Sequence, residues 1–166
     1  MVAMERLWAP WRAGYVTSAG SGEGCFLCSA AAGVAEDLVV AGDATTITLL
    51  NRFPYNTGHV LVAPIAHVGD LFVAGDDVAA AMMIAARRAM RALELALAPD
   101  GFNVGLNQGA SAGASVEHVH LHVVPRWGGD TNYMPVIGAT KVLPELLEQT
   151  ATSVRAAYKA LEPPPP

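Results

Sequence analysis

The chain has 166 residues, of which 52% are hydrophobic and only 15% charged, with a net charge of −5. That supplies one packed core and excludes disorder over most of the length. No Lys/Arg-rich run provides a nucleic-acid groove, and the longest apolar run, Val78 to Ala86, stops at Arg87 and Arg88, far short of a bilayer span.

In chain order, residues 1–24 are predicted to be irregular, with Trp8 and Trp11 read as core or interface residues. No signal peptide is expected, because Met1 to Trp11 holds no long apolar stretch ahead of a small-residue cleavage site. Two cysteines three positions apart do not make a disulfide framework, so a cytoplasmic protein is expected. Leu38–Val40 and Thr45–Leu50 are predicted strands, and Asn51 to Gly58 is turn chemistry. His59–Ala63 is a further strand, stopped by Pro64. Gly75-Asp76-Asp77 can cap a helix over 77–98, with Val78, Met82, Ala85, Ala89, Leu93 and Ala96 on its buried side. Arg87, Arg91 and Glu94 fall on its opposite face. Phe102–Leu106 and Glu117–Val124 are predicted strands around a small-residue loop, Asn107 to Ser115. A last helix is predicted over 142–161, with Pro144 in its first turn, before a disordered tail at 163–166. The pattern is α+β: an antiparallel sheet with helices on one side.

The chemistry concentrates in His118-Val119-His120-Leu121-His122. Alternate strand residues share a face, so the three imidazoles form a row while Val119, Leu121 and Val123 point into a core. Each buried imidazole needs a hydrogen-bond partner, so such a row is poor core material. It suits chemistry or a metal. The loop directly before it, Asn107 to Ser115, has side chains small enough for backbone N–H groups to approach a phosphate. Cys25-Phe26-Leu27-Cys28 is a C-x-x-C pair, open to zinc or redox chemistry. Redox is the weaker reading, because the pair follows a glycine-rich stretch rather than a strand.

His118 to Val124 matches in full the signature of the histidine-triad (HIT) family, and the chain resembles that family over residues 4–162. Leu7 to Arg12, Asn51 to His59 and Pro125 to Asp130 resemble its bacterial diadenosine tetraphosphate phosphorylases. The resemblance implies a single HIT-like domain over 1–166, an antiparallel sheet with one long central helix and a C-terminal helix. It implies a double displacement in which His120 attacks a nucleotide α-phosphate and His122 and Ser115 assist. The implied nucleotide contacts are Asn51 (at the ribose), Arg52, His59, Asn107, Gly113, Ala114, Ser115 and His122; Trp127, which follows the catalytic strand, is a further candidate. It also implies a structural zinc on Cys25, Cys28, His67 and His118, and a homodimer. Ala114 departs from the glutamine that many hydrolases of the family carry there; the small residue leaves room for orthophosphate as acceptor. The alternatives are a purine nucleoside phosphoramidase, a non-catalytic nucleotide-binding protein and a zinc scaffold. Partners other than nucleotide and phosphate, such as nucleic acid or a membrane, are not expected.

Overall fold

The computed structural model describes residues 24–34, 37–130 and 143–161. Along them run α1 (Phe26–Ala31), β1 (Val39–Gly42), β2 (Thr46–Leu50), β3 (Val60–Pro64), α2 (Leu71–Ala74), α3 (Asp76–Leu97), β4 (Gly101–Leu106), β5 (Leu121–Arg126) and α4 (Leu147–Ala160). Every neighbouring pair in the sheet is antiparallel, in the order β1-β2-β3-β5-β4. The last strand is thus inserted beside β3, and β4 lies at an edge.

Strand alternation gives the sheet two faces. Val60, Val62, Leu121 and Val123 join Leu50 in a core with Met82, Ala86, Ala89 and Leu93 of α3 and Ala151, Val154 and Tyr158 of α4. Burying Met82 and Leu93 is worth about 1.5–3 kcal/mol each. The alanines among them let the α3 backbone lie close to the strands. Asp76 and Asp77 meet the positive end of α3, and Ala98, in the left-handed conformation, closes it. On the other face, Ile47, Leu49, Leu61 and Ala63 pack under Leu27 and Ala30 of α1.

The structure departs from the sequence reading in five places. Helices cover both faces of the sheet, because the unpredicted α1 sits opposite α3 and α4. Ladder pairing of β5 begins at Leu121, not Glu117: ahead of it, Val119 N–H bonds to the Val68 carbonyl at 2.7 Å instead of a strand partner. The buried stripe of α3 includes Ala86 and Ala92, while Val78, Ala85 and Ala96 lie at its half-buried rim. The last helix starts at Leu147, so Pro144 precedes it, and the extended backbone of Leu146 sets its start. Also unpredicted is α2, whose Asp70 carboxylate accepts from Val73 N–H at 2.9 Å. The expectations for residues 1–23, Trp8 and Trp11 included, for residue 142 and for the proline tail lie outside the described residues.

Candidate active site

The histidine row lies on the α1 face. His122 sits in β5 between Leu61 of β3 and Gly105 of β4. His120 and His122 have ring centroids 4.9 Å apart. Both line a cleft of about 600 Å³. Its apolar walls include Phe26 and Ala30 of α1, with Leu38, Leu49, Leu50 and Leu61 of the sheet side. Asn51, Arg52 and Asp37 also line it, the last two joined by an ion pair at 3.8 Å. Gly113 and Ser115 stand with the histidines. A pocket with apolar walls and a few convergent polar groups is the usual form of a small-molecule site.

The ring tautomers follow from the partners, since a carbonyl can only accept and an amide N–H can only donate. His120 Nδ1–H donates to the His118 carbonyl at 2.7 Å, which in the neutral ring puts the lone pair on Nε2. Tyr55 N–H donates to His59 Nδ1 at 3.0 Å, so the His59 proton is on Nε2 and is donated to His122 Nδ1, also at 3.0 Å. His122 therefore keeps its own proton on Nε2. The Tyr55 ring stacks on His122, with centroids 5.6 Å apart. Burial, followed by the neighbouring His122 and His120 rings, pushes His59 down to about 3. Burial, and then His120, pushes His122 down to about 4. Both are neutral at pH 7. The site thus combines His120, whose tautomer is set for a lone pair on Nε2, with a neutral His122 that donates.

The phosphate loop is built differently from the expectation. Gly109 and Gly113, with φ of 85° and 95°, flank a 3₁₀ turn over Ala110–Ala112. The amides of Ala112, Gly113 and Ala114 all donate to carbonyls within that turn. Only the Ser115 amide of the run from Gly113 to Ser115 makes no such bond. An anion here would meet Ser115 rather than a nest of three amides.

Of the other sequence candidates, His59 is fully buried behind His122. Asn107 lines a second cavity that meets the first at His122 and Tyr55. Ala114 and Trp127 line neither of the two. The Trp127 backbone N–H donates to the Asp130 carboxylate at 3.2 Å. Sequence reasoning missed Phe26, Ala30 and Tyr55. Phe26 sits inside the C-x-x-C pair and Tyr55 beside the Gly-His motif, but neither pattern says which way a side chain turns.

Cys25, Cys28, His67 and His118 come together with their ligand atoms within 4.8 Å of one another. Cys25 Sγ lies 3.3 Å and Cys28 Sγ 3.6 Å from His118 Nδ1, and Cys28 Sγ 3.2 Å from His67 Nδ1. Sulfur and nitrogen ligands of a tetrahedral zinc would lie about 3.5 Å apart, from bonds of about 2.3 and 2.0 Å. His118 is prepared for the role: Nε2–H donates to the Pro64 carbonyl at 2.9 Å, which turns the lone pair of Nδ1 toward the thiols. Burial lowers its pKa, the bond to Pro64 opposing, which favours the neutral ring. The four residues can hold a metal, and the donor set fits one.

A profile of the HIT domain matches residues 32–129. A Mycobacterium tuberculosis protein described as an AP-4-A phosphorylase is 41% identical over 157 residues, covering 89% of this chain and 80% of that protein. A Zn-bound histidine triad family protein from Mycobacterium smegmatis is 31% identical in sequence and superposes with a TM-score of 0.71, over 82% of this chain and 94% of that one. A histidine triad nucleotide-binding protein of Sulfolobus tokodaii, described as hypothetical, gives the same TM-score at 26% identity, over 82% and 93%. The chain belongs to the HIT domain family.

Proposed function

We propose that the protein is a nucleotidyl transferase that cleaves dinucleoside polyphosphates, with His120 as nucleophile and orthophosphate as acceptor. The observation that carries this reading is the bond from His120 Nδ1–H to the His118 carbonyl, because it fixes the tautomer whose lone pair is on Nε2, in a cleft with apolar walls. In the first step Nε2 of His120 bonds to the α-phosphorus, and the bond to the α–β bridging oxygen breaks. The electron pair leaves on that oxygen, while His122 Nε2–H and Ser115 hydrogen-bond the phosphoryl oxygens. In the second step orthophosphate attacks the same phosphorus, the P–N bond breaks, and a nucleoside diphosphate leaves. The apolar walls suit a base, and Asn51 at their edge suits a ribose hydroxyl. The M. tuberculosis relative favours the phosphorylase over a phosphoramidase.

The metal of this reading is zinc on Cys25, Cys28, His67 and His118; the Zn-bound M. smegmatis relative supports it. A closed four-ligand zinc supplies cross-linking rather than Lewis-acid chemistry. The proposal includes a homodimer in the cytoplasm. The exposed Met83 and Ile84 of α3 favour an interface, and no helix among the described residues is long and apolar enough to cross a membrane. Light scattering that gave a monomer at micromolar concentration would remove the dimer.

The reading is tested by His120→Ala, which should abolish turnover of diadenosine tetraphosphate while leaving nucleotide affinity within about an order of magnitude. A variant that kept more than about one part in twenty of the rate would remove His120 as nucleophile.

A further inference from the structure

Past His122, the catalytic face of the sheet continues to the edge strand, and none of the roles above uses it. In the ladder Gly105 pairs with His122, Asn103 with Val124 and Gly101 with Arg126. Alternation therefore puts His122, Val124 and Arg126 of β5 on one face with Asn103 and Gly105 of β4. These residues line a second cavity of about 430 Å³, which shares Tyr55 and His122 with the first.

Two features give this cavity a chemistry. The first is Gly105. A side chain there would meet nothing within 4 Å, and its backbone is outside the left-handed region, so the conformation does not require glycine. Strand positions favour β-branched residues, and a strand glycine that the backbone does not need often marks the close approach of a ligand. Here it leaves open the floor beside His122. The second is Arg126. Its Nε and Nη2 donate to the Asp130 carboxylate at 2.6 and 2.8 Å, and Nη1 donates to Asn103 Oδ1 at 2.7 Å. The Asp130 carboxylate is itself nearly buried and also accepts from Asn56 Nδ2 at 2.8 Å. The guanidinium plane is thus fixed, and two of its five N–H groups remain unused by these bonds. Asn103, whose Oδ1 is engaged, presents Nδ2 as a further donor. Fixed guanidinium and amide donors are the chemistry of phosphate recognition.

Attack at the α-phosphorus sends the leaving oxygen away from His120, in line with the bond that forms. His122 marks the boundary between the two cavities, so a leaving group that runs past it enters the second one. We propose that this cavity binds the polyphosphate of the departing nucleotide, and that Gly105 and Arg126 make the site select long phosphate chains over small leaving groups. This inference rests on the function proposed above.

The experiment measures binding rather than turnover, so it stands apart from the test of the reaction. Titration calorimetry compares AMP with diadenosine tetraphosphate on His120→Ala protein, alone and combined with Gly105→Val or Arg126→Gln. The tetraphosphate should bind at least tenfold more tightly than AMP to His120→Ala, and each second substitution should remove most of that advantage. Gly105→Val leaves the Arg126–Asp130 pair intact, so it separates a filled groove from a disturbed one. A tetraphosphate that binds no more tightly than AMP, or an advantage that survives both second substitutions, would overturn the proposal.

Discussion

Replacing His59 with phenylalanine should make the stability of the protein less dependent on pH. The folded His59 titrates at about 3, whereas an unfolded histidine titrates near 6.5. Between those values the unfolded state binds the extra proton. Stability is therefore complete above pH 6.5 and is lost as the pH falls toward 3, with a slope of at most about 1.4 kcal/mol per pH unit. Between pH 7 and pH 5 this one ring removes about 2 kcal/mol. Phenylalanine does not titrate, but it leaves the Tyr55 N–H and His122 Nδ1 without their partner, at a cost of about 1–3 kcal/mol at pH 7. The variant should thus be the less stable protein at pH 7, and the gap should narrow by about 2 kcal/mol at pH 5. Urea unfolding at pH 7, 6 and 5, with slopes checked for equality, measures the gap. A gap that stays constant across that range would refute a neutral, buried His59 and the relay that fixes the His122 proton.

Metal removal should weaken nucleotide binding as well as stability. Cys25 stands at the N-cap of α1 and Cys28 in its first turn, and the same helix carries Phe26 and Ala30 of the cleft wall. This shared helix couples the two sites. Chelation, or Cys25→Ser with Cys28→Ser, should lower both the melting temperature and the affinity for AMP, and elemental analysis of protein purified without chelator should find one zinc per chain. An unchanged affinity in zinc-free, folded protein would remove the coupling. Ala114→Gln should slow phosphorolysis and shift the products of diadenosine tetraphosphate toward AMP. The assay is labelled orthophosphate: if wild-type protein puts no label into ADP and forms AMP at the same rate without phosphate, the acceptor is water.

Much of this architecture was legible because period-2 and period-3.6 patterns survive in the sequence. The β2 and β3 strands and the long α3 fall within a residue or two of their predicted ends. Clustering of Cys25, Cys28, His67 and His118 was implied by family resemblance and needed no geometry of its own. What escaped notice depends on tertiary partners. Six residues of α1 are too few to show a helical period, and the helix is held by Leu27 and Ala30 in the second core. The loop amides looked available for phosphate because small residues permit an anion nest, yet the same small residues let the chain close on itself in a 3₁₀ turn. His59 is a ligand contact only as the family resemblance implies. Its bonds to Tyr55 and His122 exist only once β3 lies beside β5.

The central claim is a covalent nucleotidyl group on His120. Protein mixed with diadenosine tetraphosphate in the absence of orthophosphate, quenched at alkaline pH where a phosphoramidate persists, can be weighed intact and then mapped by peptide. The account predicts one adenylyl group per chain on the peptide containing His120, lost on addition of orthophosphate and absent in His120→Ala. An adduct on His122, or none while the substrate is consumed, would contradict it.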